Sequence, residues 1–332
     1  MPLLPTGERL PPFFGTCHKC QNKDAPGCSL CFAAPEYNPG DVEDFYYCSR
    51  KCRQDDRPFE FHRCKRWHER RTAFRAAKLL RIAFLAYRRR HYDIDLERIE
   101  FKDDRVYMYQ KEGTVVGERK PGSFPAEVTS NDNLREVALC KYSAGRAISL
   151  LGPMTRSLLK KVTKKIEIVE IEVSNPEITV VVVPDETPTE DHPHDIIKVT
   201  LRSGEEWVLD PNGLLYGFNE VCMPYEKYMA SRCRRIVKGP TPYTALATDD
   251  VDSFLIRPFS VDGQKRAELY REREVRLHFN AMVLEGVKMH LMGGLPNEFR
   301  ASCVSFNDFV LRYMDQLRQE SLEENKECSL FR

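Results

Sequence analysis

Seven cysteines between residues 17 and 64 constrain the fold of this chain more than any other feature of its sequence. Their order is Cys17-x2-Cys20, Cys28-x2-Cys31, Cys48-x3-Cys52 and finally Cys64. Two cysteines separated by two residues can place both sulfur atoms on one metal ion from a tight turn, and a tetrahedral zinc ion takes four such ligands. The spacing therefore predicts two zinc ions in this block.

The block also needs a source of stability other than apolar burial. It is only about 50 residues long and rich in charged side chains, so it cannot bury enough apolar surface to fold by itself. A structural zinc ion contributes roughly 10 to 16 kcal/mol to the folding of such a domain. We therefore expect metal ligation, rather than disulfides, to hold this part of the chain together.

The segment Tyr47-Cys48-Ser49-Arg50-Lys51-Cys52, together with the two Cys-x2-Cys pairs before it and Cys64 after it, resembles a MYND-type zinc finger. In that family the first and third ligand pairs hold one zinc ion, and the second and last pairs hold the other. The resemblance implies Cys17, Cys20, Cys48 and Cys52 as ligands of the first ion. It implies Cys28, Cys31 and Cys64 as three ligands of the second.

The eighth ligand is the point at which this chain departs from the family pattern. The family has a histidine four residues before the last cysteine, where this chain has Glu60, and its usual tryptophan corresponds to Arg57. Helical geometry favours Glu60 or His68, each four residues from Cys64, whereas zinc among thiolates prefers imidazole to carboxylate. We predict His62 as the ligand, with Glu60 and His68 as alternatives. This assignment requires a departure from regular helix just before Cys64.

The whole chain is predicted to have an α+β fold, because helical and strand patterns follow one another without regular βαβ alternation. It is expected to begin with a small zinc-stabilised finger and a long helix, followed by a domain of mixed helices and antiparallel strands. The predicted segments are a flexible tail over 1–15, the MYND-type finger over 16–68, a basic amphipathic helix over 69–92, and an α+β domain of unknown function over 93–332.

Local patterns predict several elements within the last segment. Alternating apolar residues around turn sequences indicate two hairpins, over residues 94–110 and 196–209. Residues 134–165 are predicted to be helical with an interruption at Gly152-Pro153. The remaining predicted elements are strands over 166–173 and 178–183 and helices over 264–291 and 306–327.

Parts of this region resemble filamentous-fungal proteins that join an N-terminal MYND finger to an uncharacterised region of about 250 residues. The segments that carry the resemblance are 70–87, 92–96, 197–201 and 207–217. The resemblance implies an architecture and no known chemistry.

Residues 50–90 form a strongly basic segment. They contain fifteen Lys and Arg against four acidic residues, a local charge of +11 in a chain whose net charge is +1. We expect a solvated helix face that docks against the acidic remainder of the chain, through residues such as Glu167, Glu170 and Glu172. The alternatives are nuclear import through Arg88-Arg89-Arg90 and contact with nucleic-acid phosphates.

Three histidines, the Gly293-Gly294 pair and the cysteines outside the block are expected to be structural. His18 is predicted to face solvent, and His192 and His194 to lie in a polar loop. Gly293-Gly294 lacks the lysine and hydroxyl residue of a phosphate-binding loop and is predicted to end a helix. The cysteines outside the block are expected to be buried or free thiols, and they are Cys140, Cys222, Cys233, Cys303 and Cys328.

These observations favour a zinc-binding adaptor and not an enzyme. The sequence contains no G-x-S-x-G motif, and it lacks the Asn-His-x-Cys core of the SET methyltransferase domain that accompanies some MYND fingers. MYND relatives bind short proline-containing apolar peptides, so we expect protein partners of that kind. A nuclear transcription or chromatin factor that binds nucleic acid through the basic helix is the second hypothesis, and a methyltransferase is the third.

We expect an intracellular protein, in the cytoplasm or the nucleus. No apolar run approaches the roughly 18 residues of a membrane span, and the start of the sequence lacks the apolar stretch of a signal peptide. Membranes are therefore not expected among its partners.

Overall fold

A computed structural model describes residues 11–114, 121–184, 192–256, 263–287 and 291–330 of the chain. Within these ranges it describes the side chains except those of residues 57–63, 144, 264 and 320–330. The described ranges contain eight α-helices and ten β-strands in mixed order. The predicted α+β fold is confirmed.

The N-terminal region contains four elements, which are β1 (Phe14–Gly15), β2 (Ala25–Pro26), α1 (Arg50–Asp55) and α2 (Arg57–Arg90). Strand β1 pairs with β2, and the Tyr46 hydroxyl donates to the Pro12 carbonyl at 2.8 Å. Residues 12–15, which we expected to belong to a flexible tail, therefore pack on the finger. Residues 1–10 of that tail lie outside the described ranges.

The elements after α2 alternate between helices and strands. In chain order they are β3 (Leu96–Lys102), β4 (Arg105–Gln110), α3 (Asp132–Cys140), α4 (Ala144–Leu159), β5 (Thr163–Val173), β6 (Thr179–Val183), β7 (His194–Leu201), β8 (Glu206–Leu209), β9 (Cys222–Pro224), α5 (Tyr225–Arg232), β10 (Cys233–Pro242), α6 (Asp249–Leu255), α7 (Gly263–Val287) and α8 (Pro296–Leu330).

The strands after α2 form two sheets. One has five antiparallel strands in the order β10-β5-β7-β8-β9, and the other has three strands in the order β3-β4-β6. Both predicted hairpins, β3-β4 and β7-β8, are present. The turn of the first is made by Asp103 and Asp104, both at positive φ (51° and 57°), which gives the two strands the twist that a tight hairpin needs.

In the middle of the chain the strands divide between the two sheets, and the predicted helix interruption at Gly152-Pro153 is wrong. Strands β5 and β6 are consecutive in sequence but belong to different sheets, and β6 runs parallel to β4. The helical stretch breaks after Cys140, where Tyr142 adopts a left-handed φ of 53°, and α4 then continues through Gly152-Pro153 without interruption.

Apolar side chains form two separate cores. The smaller lies in the finger and includes Phe45, Tyr47 and Trp67. The larger extends from Ala73 of α2 to Met314 of α8. Because Trp67 and Ala73 both lie on α2, one continuous helix contributes to both cores.

From Trp67 onward, helix α2 lies inside the molecule and most of its basic side chains are buried, whereas Lys65 and Arg66 before it are exposed. It packs against α3, α4, α8 and the sheet strands β8 and β9. The buried basic side chains are Arg70, Arg71, Arg75, Lys78, Arg81 and Arg88. The acidic residues that we expected to receive them lie on β5 instead, where Glu172 forms an ion pair with Arg235 of β10.

Candidate metal centres

The sulfur atoms of Cys17, Cys20, Cys48 and Cys52 form one group, in which all lie within 4.8 Å of one another. The Cys20 and Cys48 sulfurs are 3.4 Å apart, and those of Cys48 and Cys52 are 3.5 Å apart. In a tetrahedral site with zinc–sulfur bonds of about 2.3 Å, neighbouring sulfurs lie about 3.8 Å apart. The group therefore fits a single metal ion.

Local hydrogen bonds place the four cysteines of this group. The Ser49 hydroxyl caps α1 by accepting from the Cys52 backbone N–H at 3.1 Å. This cap puts Cys48 just before the helix and Cys52 in its first turn. At the other pair, the Gln21 N–H donates to the Cys17 carbonyl at 2.9 Å, and Gln21 adopts a positive φ of 61° that closes the turn. The Cys-Ser sequence in the third pair thus has a structural reason, because the serine caps the helix that carries the next ligand.

The sulfur atoms of Cys28, Cys31 and Cys64 form the second group, again within 4.8 Å of one another. Cys28 and Cys31 are buried in a turn, and Cys64 reaches them from α2, with 4.0 Å between the Cys28 and Cys64 sulfurs. The two groups have the membership that the family resemblance implies, and each can hold a metal ion. Thiolate donors at these spacings suit zinc.

The second group has three described donors, and a tetrahedral zinc ion takes a fourth ligand. Helix α2 is unbroken from Arg57 to Arg90, so the departure from helix on which the assignment of His62 depends does not occur. His68 is not part of the described donor group, and its Nδ1 lies 3.1 Å from the Leu30 carbonyl oxygen. The side chains of Glu60 and His62 lie outside the described residues, so both stay predictions as ligands.

Positive charge surrounds the second group. The buried Arg71 guanidinium donates to the Ser29 carbonyl at 2.5 Å, within the turn that carries the two buried cysteines. Burial lowers the pKa of Arg71, and its attraction to Cys31, Cys28 and Cys64 opposes that shift. A metal ion held by three thiolates carries excess negative charge, and the Arg71 guanidinium would offset part of it.

Hydrogen bonds within the groups also change the pKa values of the thiols. Side-chain hydrogen bonds from Cys31 and then Cys64 lower the pKa of Cys28 strongly, because they stabilise its thiolate. Burial opposes ionisation of Cys17, but backbone hydrogen bonds, led by that of Cys20, outweigh it and lower the pKa to about 6. These effects favour the thiolate at Cys28 and Cys17, whereas hydrogen bonds from neighbouring cysteines raise the pKa of Cys31, Cys48 and Cys64.

Sequence analysis missed the aromatic side chains that support the two groups. The Phe45 and Trp67 rings are stacked with 4.9 Å between their centroids, and the Tyr47 hydroxyl donates to Asp56 at 3.0 Å. Trp67 lies three residues after Cys64 on α2, so it occupies nearly the same helix face. A tryptophan one helical turn from the last cysteine was the available signal.

Several other sequence predictions can be compared with the structure. His18 is half-buried against the Phe45 ring and not simply solvated. Gly293-Gly294 lies between α7 and α8, as expected of a helix end. Cys140 and Cys222 are buried, and burial raises the pKa of Cys140 to about 12, which makes its thiol inert. Cys328 lies outside the described side chains.

The expectation that His194 lies in a polar loop is wrong. His192 is exposed, but His194 begins β7 and is fully buried. Its Nε2 lies 3.0 Å from an Asp210 carboxylate oxygen, and the Tyr228 hydroxyl donates to the other oxygen at 2.7 Å. Each oxygen of the Asp210 carboxylate thus has one side-chain partner in the core. The 16 residues between His194 and Asp210 hid this pair from sequence analysis.

The chain matches no protein-family model, no curated protein and no solved structure. No helix in the described ranges is long and apolar enough to cross a membrane. The class that the site supports is a protein with an N-terminal cysteine finger that can bind two metal ions.

Proposed function

We propose that this chain is a zinc-dependent protein–protein interaction adaptor whose MYND-like finger binds short proline-containing apolar peptides. The observation that carries the proposal is the finger itself, in which two cysteine groups that can each hold a metal ion lie beside a small aromatic core. A receptor held by metal ligation loses little conformational entropy when a peptide docks on it. A function in binding therefore suits this architecture.

The finger exposes large apolar side chains that a soluble domain has no folding reason to expose. Phe14 is 62% exposed, Leu30 is 41% exposed and Phe13 is 39% exposed. The Phe13 ring lies 6.3 Å from the Phe32 ring, and Leu30 precedes Phe32 by two residues in the same turn. We propose that these residues form the apolar part of the peptide-binding surface.

The buried basic helix argues against the alternative of a nucleic-acid-binding factor. Six of its basic side chains are buried, and Arg70, Arg75 and Arg81 donate to acidic side chains or main-chain carbonyls of the protein. Phosphate recognition needs basic side chains that reach the solvent. The adaptor proposal is therefore the better supported of the two.

Fluorescence anisotropy with the full chain would test the adaptor proposal. The probes would be a labelled library of short peptides with proline among apolar residues, compared with a labelled DNA duplex. Peptide binding should persist from low to physiological salt, whereas binding through phosphates should weaken steeply over that range. Removal of zinc by a chelator should abolish peptide binding.

A pair of matched variants would locate the binding surface. Phe14→Ser should weaken peptide binding, whereas Phe254→Ser, which changes a similarly exposed phenylalanine (50%) on α6, should not. The proposed surface would be contradicted if peptide binding persisted after zinc was removed by the chelator. It would also be contradicted if Phe14→Ser and Phe254→Ser weakened peptide binding equally.

A further inference from the structure

A large cavity lies between α2 and the elements packed around it, away from the finger. Its volume is about 830 Å³, and its walls come from α2, the β3-β4 hairpin, α3, the 3-10 helix at Gly213–Tyr216 and α8. Small-molecule sites in proteins typically have volumes of roughly 300 to 1,000 Å³. The cavity thus has the size of a ligand site.

The walls of the cavity are mainly apolar. Ile82 and Leu85 line it from α2, Val106 from β4, Val137 from α3 and Phe299 from α8. All except the half-buried Ile82 are fully or almost fully buried. Phe101, which is 53% exposed, also lines the cavity and marks a side that opens to solvent. An apolar ligand could therefore enter and be largely removed from water.

Two cationic side chains line the same cavity from one face of α2. Lys78 and Arg81 lie three residues apart on that helix, and each is 6% exposed. The Arg81 guanidinium donates to main-chain carbonyls, those of Asn219 at 2.8 Å and Asp210 at 3.0 Å among them. Its Nε–H is buried without a hydrogen-bond partner.

The charge of Arg81 is not matched by a contacting carboxylate. The nearest acidic partner in the core, Asp210, has both carboxylate oxygens occupied by His194 and Tyr228. Burial lowers the pKa of Arg81, and attraction to the more distant Asp210 and Glu136 carboxylates opposes that shift only in part. A buried cation held only by neutral acceptors would gain from an anion brought into contact with it.

The acidic residues that line the cavity do not supply that anion. Glu136 forms an ion pair with Arg89 at 3.4 Å, so its charge already has a partner outside α2 residues 78–81. Glu177 lines the cavity from the loop just before β6, and its side chain is exposed to solvent.

We propose that this cavity binds an amphipathic monocarboxylate with a long apolar chain, such as a fatty acid. The carboxylate would contact Arg81 and Lys78, and the chain would lie against Leu85, Val106 and Phe299. An apolar body satisfies the walls, and a single negative charge matches the cationic end. This binding site is separate from the peptide-binding surface proposed for the finger.

Isothermal titration calorimetry on the full, zinc-loaded and delipidated chain would test the proposal. The probes would be dodecanoate and dodecanol, both below their aggregation concentrations. We expect one molecule of dodecanoate to bind per chain, about tenfold or more tightly than dodecanol, because a charge-assisted hydrogen bond to a buried group is worth that factor. Equal affinities for the two probes, or no binding of dodecanoate, would overturn the proposal.

Matched variants would place the ligand in this cavity. Val304→Trp fills the cavity from α8 and should weaken dodecanoate binding about tenfold or more, whereas Ser305→Trp changes the adjacent exposed residue, which does not line it, and should leave binding unchanged. Lys78→Met preserves side-chain volume and should reduce the preference for dodecanoate over dodecanol. Circular dichroism would verify the fold of each variant. Unchanged binding in folded Val304→Trp, or an unchanged preference in folded Lys78→Met, would contradict the assignment.

Discussion

Arg70 shows at the scale of one residue how the finger is attached to the rest of the molecule. Its guanidinium is fully buried and donates to both carboxylate oxygens of Asp41 in the finger, at 2.8 and 2.7 Å. It also donates to both oxygens of Glu205 in the β7-β8 turn, at 2.8 and 2.7 Å. Bidentate hydrogen bonds of this kind fix the relative orientation of the guanidinium and the carboxylate in addition to pairing their charges.

Removal of the Glu205 charge should therefore be costly. Glu205→Gln leaves Arg70 with only the half-buried Asp41 carboxylate, and we expect the free energy of unfolding to fall by roughly 3 to 5 kcal/mol. Arg66 also contacts Glu205, but its side chain is 51% exposed, so Arg66→Ala should cost less than about 1 kcal/mol. Urea unfolding of the zinc-loaded variants measures both values. Similar losses in the two variants would show that burial does not set the strength of this contact.

Asp93 is a second buried carboxylate with two cationic partners. Arg88 contacts it at 2.9 Å and Arg146 at 2.7 Å. Burial disfavours the ionised form, but the two guanidinium groups outweigh it and hold the pKa of Asp93 well below its usual range. Because the pKa in the folded state is lower than in the unfolded state, Asp93 stabilises the fold at neutral pH and loses that contribution in acid.

The low pKa of Asp93 predicts how the stability difference between the wild type and Asp93→Asn depends on pH. We expect the wild type to be more stable than Asp93→Asn at pH 7, and the difference to narrow as the pH falls below about 4, the ordinary pKa of aspartate. Urea unfolding at several pH values between 7 and 3.5 would show it. Asp104→Asn, in an exposed turn, should leave stability almost unchanged throughout. A gap between wild type and Asp93→Asn that is independent of pH would contradict the role of the two arginines.

At the scale of elements, Gly152 determines how closely α4 approaches the segment after β10. A Cβ atom built on Gly152 would lie 2.3 Å from the Ala245 carbonyl oxygen. The same oxygen accepts a hydrogen bond from Arg156 of α4 at 2.8 Å. The glycine that suggested a helix interruption in the sequence is thus a point of close packing within an unbroken helix.

Alanine substitutions at two glycines of α4 should have opposite effects. Gly152→Ala should lower the free energy of unfolding by about 1 to 3 kcal/mol, because the clash with backbone exceeds the gain in helix propensity. Gly145 of the same helix has open space around it, so Gly145→Ala should raise stability by up to about 1 kcal/mol. Thermal or urea unfolding distinguishes them. Stabilisation by both substitutions would mean that no close approach exists at Gly152.

At the scale of the whole molecule, two sources of stability operate on one continuous helix. The finger has a small core beside the two cysteine groups, and the larger core begins at Ala73, less than two helical turns after Trp67. Metal ligation should therefore control the finger, and apolar packing should control the remainder. Helix α2 is shared, so loss of the finger would leave its first turns without packing partners.

Zinc analysis of the variant Cys48→Ser tests this division. The wild type should contain two zinc ions per chain, and Cys48→Ser should lose at least one together with the structure of the finger, because a structural zinc contributes roughly 10 to 16 kcal/mol. The larger core should still unfold cooperatively on heating. Cys233→Ser, a half-buried cysteine outside both groups, should keep two ions. Loss of all cooperative unfolding in Cys48→Ser would show that the two parts do not fold independently.

The sequence by itself determined the features that depend on short separations along the chain. The cysteine spacings predicted two metal sites, and the family resemblance assigned the seven cysteines to the two groups that the structure contains. Alternating apolar residues around Asp103-Asp104 and Gly204 predicted both hairpins. Turns and caps form through contacts within a few residues, so their signals are local and can be recognised without a fold.

Only the tertiary structure decided what the basic residues and the consecutive strands do. Charge along α2 suggested a solvated face, but Glu205 reaches Arg70 across 135 residues, and the helix is buried. Strand β6 joins β4 and not its neighbour β5, and the cavity beside Arg81 has walls from five separate parts of the chain. Such arrangements depend on which surfaces meet when the chain folds, and residue spacing carries no information about contacts between distant segments.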